Sequence, residues 1–482
     1  MGNGAPYLKQ IPRSSFATAT TYLAASLLGL AMVLVLPFFL DPAEYAQLSF
    51  SLALVQLVTS IAFEWIRVAV LAHAGRKQEE EIYVRRDLKV LFTAVAGVLL
   101  ALAVTLGVLS TWFVTLQMPA LILATALAQG AFDGRCAWAR ANFDDVRLSI
   151  AIFIRAALSL VLVVAVAMAT RSGTCVLAIV CVSYSISNLI FRDRLSGLLA
   201  LPVLDRSTSF ALVRFGTMAA LGTNIAMMLP VALRSVIVSV LGLSAAGGVI
   251  LALDIAQRVF STMGMALNLL HFQTLVRAID RSSLADAIRR ARSGIAIQAA
   301  LFLWMVALLV GAASSIGELV GPHRYEDDFV RHLPMLALLM SILCLRQYAV
   351  DTIFIAFRRA MFIAVSPAII LVMFGSVFIG VQLGFVQRDE IYMLLVAASG
   401  IGLIFPFIFI RAFLPGVLPF KTLTASALAA MIAIAAMRGV NAAHPVLALI
   451  LQAAVGSSIY LCVLGALALM QRLWWRWRGT RF

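Results

Sequence analysis

Apolar runs of about twenty residues or more recur from one end of the chain to the other, separated by short polar connections. None shows the apolar–polar alternation of barrel strands, so the runs read as membrane-spanning helices. The pattern predicts fourteen, at about 15–40, 45–72, 88–112, 117–140, 147–170, 174–192, 212–241, 247–272, 294–316, 331–357, 360–384, 390–411, 420–438 and 444–470. The expected fold class is an all-α polytopic membrane protein.

Composition supports this pattern. Of 482 residues, 63% are hydrophobic and 12% charged, where a soluble domain carries roughly a quarter charged. A soluble globule, a disordered chain and a disulfide-stapled secreted module are excluded. The first apolar run is too long for a signal-peptide core and lacks a convincing cleavage site, so it is expected to be an uncleaved span.

The net charge of +15 would suggest nucleic acid in a soluble protein. In this chain the basic residues lie mainly between the apolar runs, and no nucleic-acid partner is expected. With the N-terminus in the cytoplasm, twenty-seven of the 37 Lys and Arg fall in inside segments. Five lie outside (Arg171, Arg324, Arg331, Arg388 and Arg438) and five within spans. The asymmetry predicts both termini in the cytoplasm. The tail from Arg472 to Phe482 mixes Trp with Arg and reads as an interfacial anchor on membrane lipid.

Chemistry-bearing motifs are few. No Lys follows a Gly, so there is no Walker A loop, and there is no HExxH or GxSxG. The five Cys form no CxxC and read as packing residues. The loop pairs Asp144–Asp145 and Asp327–Asp328 read as solvated. No catalytic residues, no metal and no cofactor are expected. The outer loops are too short to hold an acceptor substrate, which argues against a membrane glycosyltransferase or polymerase. The chain is expected not to be an enzyme.

The sharpest signal is charge inside the spans: Glu64, Arg67, Arg155, Arg234, Asp254, Arg258, Arg346 and Asp351. Each charge at a bilayer centre costs roughly 2.5–3.5 kcal/mol, so these groups are expected to face water, a partner charge or a ligand. Glu64 and Arg67 are three apart, and Asp254 and Arg258 four apart, so each pair shares a helix face. Arg346 and Asp351 are five apart, about 140° around an α-helix, and are not expected to pair within it. Five Arg against three acids leave +2, a balance suited to an anionic group such as a diphosphate. The expected substrate-binding set is Arg346, Arg258, Arg155, Arg234 and Arg67. Glu64, Asp254 and Asp351 are the candidates for coupling ions or counter-ions.

A weak internal repeat accompanies these charges. At an offset of 201, Leu40, Leu52, Gln56 and Ser60 align on Leu241, Leu253, Gln257 and Ser261. Each half opens with a helix carrying a proline near its outer end, Pro37 and Pro230, and these are the hinge candidates. The implied layout is an N-terminal lobe over 1–210, a second lobe over 211–412, and two further helices with the basic tail over 413–482.

The run FLDPAEYAQLSFSLALVQL (39–57) resembles the hairpin ending the first helix of bacterial polysaccharide flippases. EWIRVAVL (64–71) is similar to their second-helix ending, and LRSVIVSVLGLSAAGGVILALDIAQRVFSTMGMALNL (233–269) resembles their seventh and eighth helices. Ala46 stands where the first hairpin usually has Gly, and Ala246 where the second often has Tyr or Phe. The family is the Wzx-type branch of the multidrug/oligosaccharidyl-lipid/polysaccharide exporter superfamily. The resemblance implies two six-helix lobes with alternating access in the bacterial inner membrane. It also implies an undecaprenyl-diphosphate-linked oligosaccharide as substrate and a cationic cavity that Arg155, Arg258 and Arg346 would supply. A polysaccharide polymerase and co-polymerase are the further partners it suggests. The rival readings are a cation-coupled multidrug antiporter of the same superfamily, a peptidoglycan-precursor flippase and a non-transporting scaffold.

Overall fold

The computed structural model describes residues 13–479 apart from 74–77, 142–144, 192–205, 281–282, 358, 360, 388–389, 441 and 443. Lys9, Arg76, Lys77, Arg192, Arg194, Arg281, Arg358, Arg388 and Arg481 of the topology tally, and Asp144, lie outside the described residues, as do the side chains of the tail. The helices are α1 (Arg13–Val35), α2 (Pro42–Thr59), α3 (Trp65–His73), α4 (Gln78–Leu109), α5 (Gln117–Ala141), α6 (Asp145–Thr170), α7 (Gly173–Ile190) and α8 (Arg206–Asp280). They continue as α9 (Leu284–Gly311), α10 (Ala313–Val320), α11 (His323–Leu345), α12 (Asp351–Ala356), α13 (Met361–Gln382), α14 (Ile391–Phe413), α15 (Phe420–Arg438) and α16 (Pro445–Gly479).

No strand occurs among the described residues, and twelve helices there are long and apolar enough to cross a membrane. The chain is an all-α, multi-pass membrane protein. Two places account for twelve rather than fourteen. The first expected span falls on the 23-residue α1, of which only the stretch Leu23–Phe38 enters that count, and the two spans expected at 212–241 and 247–272 join in the apolar run Ala220–Asn268 of α8.

Inside α8 the backbone leaves helical geometry at Gly242, with φ 79° and ψ 162°. A side chain disfavours that φ, so the glycine permits the break. Neither expected hinge proline makes such a break. Pro230 stays within α8, because a helix can absorb one missing N–H. Pro37 lies in a short 3-10 turn, Leu36–Phe38, after α1 has ended. The comparable extended residue in the first half is Asp41, with ψ 156°, just before α2. Asp41 and Gly242 are separated by the same offset of 201 that aligns the two hairpins.

The chain forms two compact units, Met1–Ser239 with Ala360–Leu371, and Val240–Arg359 with Val372–Phe482. The repeat reading places its boundary at 210–211, whereas this division runs through α8. In the first unit α1 packs on α6, α4 on α5, and α7 on α5 and α6, while α2 and α3 lie against α5. Its core gathers Phe63, Ile66, Val70, Leu88 and Ala137. The ring of Phe63 stacks 5.0 Å from that of Phe92.

In the second unit α11 packs on α9 and α14, and α15 on α9 and α16. Ala429, Ala430 and Ala433 of α15 meet Ala307 of α9, small residues that let the backbones approach closely in lipid. Tyr460 Oη donates to the Ala300 carbonyl at 2.6 Å, and Trp304 Nε1 donates to Ser457 Oγ at 3.2 Å. The last two helices are thus docked on α9. A close approach also fixes Gly248 of α8, where an added Cβ would stand 2.8 Å from the Tyr325 carbonyl oxygen. Gly248→Val is expected to cost about 1–3 kcal/mol by overpacking, read as a lowered thermal midpoint of the detergent-purified protein.

Candidate functional site

Each unit gathers ionisable side chains within its spans. In the first unit, α2 ends in a π-turn, Ser60–Glu64, before α3 begins. Ser60 Oγ donates to Asn224 Oδ1 at 2.7 Å and anchors the turn to α8. The turn delivers Glu64, whose Oε1 accepts from Arg67 Nη2 at 2.7 Å. Glu64 is 11% exposed and Arg67 44%. The carboxylate is therefore the covered member of the pair, and the guanidinium the accessible one.

Facing them on α5 is Asp133, which hydrogen-bonds with Gln129 one turn away. It lies in the electrostatic field of Arg67, Arg155 and Glu64. On α6, Arg155 Nη1 donates to Tyr184 Oη at 3.1 Å. Its guanidinium lies 5.1 Å from the Tyr184 ring centroid and 5.8 Å from that of Phe132. Its Nε is buried without a hydrogen-bond partner. The π-turn and the helices α3, α5 and α6 thus place Glu64, Arg67, Asp133 and Arg155 within one another's electrostatic reach. Asp133 is the member that charge counting along the sequence missed. Its signal was a Gln–x–x–x–Asp spacing inside a predicted span, hidden beside Arg135 and Arg140 at the basic end of the helix. Including it, five Arg face four acids and the sum is +1 rather than +2.

Arg234, expected in the binding set, is held here by protein partners. It is 6% exposed, and its Nε donates to Ser49 Oγ at 3.0 Å and its Nη1 to the Pro230 carbonyl at 3.1 Å. It ties α8 to α2 inside the first unit.

The second unit holds the other charges. Asp254 is buried and Arg258 partly exposed on α8, and neither is without a partner. Arg258 lies close enough to influence Tyr348. The expectation that Arg346 and Asp351 cannot pair is overturned. Residues Arg346–Val350 form a second π-turn, whose wider turn brings residues five apart onto one face. Arg346 Nη1 then stands 3.2 Å from Asp351 Oδ2. The two residues are 2% and 5% exposed, so in this conformation Arg346 faces a carboxylate in a covered interior rather than an open chamber. The pair is close but not aligned as a hydrogen bond. Arg346 Nε and Nη1 and Asp351 Oδ1 make no hydrogen bond.

No cluster of three or more potential metal ligands occurs among the described residues. Of the five His, His271 lies beyond the apolar run of α8, and burial pulls its imidazole below the ordinary histidine range.

No sequence-family description matches this chain, and no curated protein matches it. Solved structures do. An inward-facing multidrug-resistance MATE family transporter of the MOP superfamily aligns with TM-score 0.64 and 15% identity, over 83% of this chain and 95% of that one. The lipid II flippase MurJ, in an inward closed conformation, aligns with TM-score 0.64 and 12% identity, over 93% and 98%. An outward-facing MATE transporter aligns with TM-score 0.57 and 14% identity, over 84% and 96%. The chain shares their fold. At these identities the likeness speaks of architecture and leaves the cargo to the residues above.

Proposed function

We propose that the chain is a flippase carrying undecaprenyl-diphosphate-linked oligosaccharide repeat units across the bacterial inner membrane, for exopolysaccharide or O-antigen synthesis, by alternating access. The observation that supports it most is the first-unit cluster. Arg67 is accessible above a covered Glu64, and Arg155 holds an N–H that no protein acceptor fills. Both guanidinium groups act electrostatically on Asp133. Phosphate oxygens are the natural acceptors for such donors, and arginine forks bind them bidentately. Of the expected set, Arg258 is the partly exposed cation on the second unit's part of α8, while Arg234 is tied to Ser49 and Pro230. A polymerase and co-polymerase receiving the product remain the partners this reading suggests.

A peptidoglycan-precursor flippase would present the same diphosphate to the same arginines. It is favoured by one observation: the match to MurJ spans 93% of this chain against 83% for the inward-facing MATE transporter. A cation-exporting antiporter is less suited, because the accessible member of the Glu64–Arg67 pair is the cation.

The test uses purified protein in liposomes with a fluorescent undecaprenyl-diphosphate oligosaccharide, lipid II and a cationic dye offered in parallel. The expected result is translocation of the oligosaccharide lipid, seen as quencher accessibility, above that of lipid II. Preferential transport of lipid II selects the peptidoglycan reading. Export of the dye alone rejects both flippase readings.

A further inference from the structure

Five residues of ordinary α-helix turn 500°, so Arg346 and Asp351 would stand about 140° apart. A π-turn takes about 4.4 residues, which brings the same two positions within about 50° of each other. The pair therefore exists only because residues Arg346–Val350 are wound as π.

The turn is held from outside. The Tyr348 carbonyl accepts from Gln298 Nε2 at 3.3 Å and from Thr352 Oγ1 at 2.8 Å. Thr352 Oγ1 also lies 3.0 Å from Asn268 Oδ1. What the turn achieves is a poor ion pair. A buried pair repays its desolvation only with good alignment and full hydrogen bonding, and this one leaves Arg346 Nε and Nη1 and Asp351 Oδ1 unsatisfied. A second π-turn among the described residues, Ser60–Glu64, likewise abuts an intramembrane Arg–carboxylate pair.

We propose that the π-turn at Arg346–Val350 is a register switch: wound as π it holds Arg346 on Asp351, and relaxed to α it turns Asp351 about 90° away and releases the guanidinium to another anionic group. That this second group is a substrate diphosphate rests on the flippase reading. The switch itself does not.

A π-turn amounts to one residue inserted into an α-helix, so deleting Ala349 removes it while keeping the phase of the flanking turns. Arg346 and Asp351 then stand four apart, about 40°, and stay paired in plain α-helix. The experiment is hydrogen exchange by mass spectrometry over 346–356 in the detergent-purified full chain, with and without undecaprenyl diphosphate, alongside liposome translocation. The deletion variant is expected to exchange at least tenfold more slowly than wild type, to ignore undecaprenyl diphosphate, and to lose at least tenfold in translocation. Exchange equal to that of wild type overturns the switch. Slowed exchange in the variant, with wild type indifferent to undecaprenyl diphosphate, upholds the switch and counts against the flippase reading instead. A second variant covers failure of the deletion to fold. Arg346→Asp with Asp351→Arg keeps a pair of reversed polarity, and translocation is expected to stay lost. Full recovery by that double variant overturns the proposal.

Discussion

Arg155→Ala is expected to lower translocation of an undecaprenyl-diphosphate oligosaccharide by about 10- to 150-fold while the protein still reaches the membrane. The magnitude follows from the donor it removes. A hydrogen bond to a charged acceptor contributes about 1.5–3 kcal/mol, and each 1.4 kcal/mol is about a factor of ten. Arg155 offers more than charge. Its fork is set by Tyr184 Oη and by the flanking rings of Tyr184 and Phe132, so its unfilled Nε is aimed in advance. Arg155→Lys keeps the charge but loses the fork and the stacking, and should recover only a minor part of the rate. Tyr184→Phe removes one acceptor and keeps the ring, so its loss should be smaller than that of Arg155→Ala. Normal translocation by Arg155→Ala would remove the first-unit cluster from the mechanism.

How much of this could be read along the chain divides by the kind of physics involved. Helical spans were legible because lipid enforces them through composition alone, and the buried faces of α9 and α11 carry the apolar residues the pattern expects. The candidate arginines were legible for the same reason, since a charge in an apolar run stands out. Their partners were not. Arg234 finds Ser49, 185 positions away, and no local spacing encodes that contact. Asp133 was hidden by its basic neighbours, although Gln129 one turn before it marked a polar face. Arg346 and Asp351 were misjudged because a constant 100° per residue was assumed, and a single π-turn breaks that assumption. The break in α8 lies at a glycine rather than at either proline for a related reason. Proline removes one hydrogen bond and a helix in lipid can tolerate it, whereas Gly242 permits a φ that ends helical geometry outright.

The buried pair of the second unit yields the largest effect on stability. Asp351→Ala should destabilise the protein by about 3–5 kcal/mol, because it strands the Arg346 guanidinium in a covered interior where Arg346 is 2% exposed. Arg346→Met with Asp351→Leu removes both charges and refills the volume, and such replacements are often neutral or stabilising. The double variant should therefore match or exceed the wild-type thermal midpoint in detergent, while the single variant falls well below it. Translocation separates the two explanations of why the ions are there. If the pair served only to fix the packing of α11 and α12 on α9, the apolar double variant would transport normally. If Arg346 must leave Asp351 during the cycle, that variant will be stable and inactive. A stable, inactive double variant beside an unstable Asp351→Ala is the combination that ties the unsatisfied guanidinium to transport. An Asp351→Ala protein as stable as wild type would contradict the burial on which the pair's role depends.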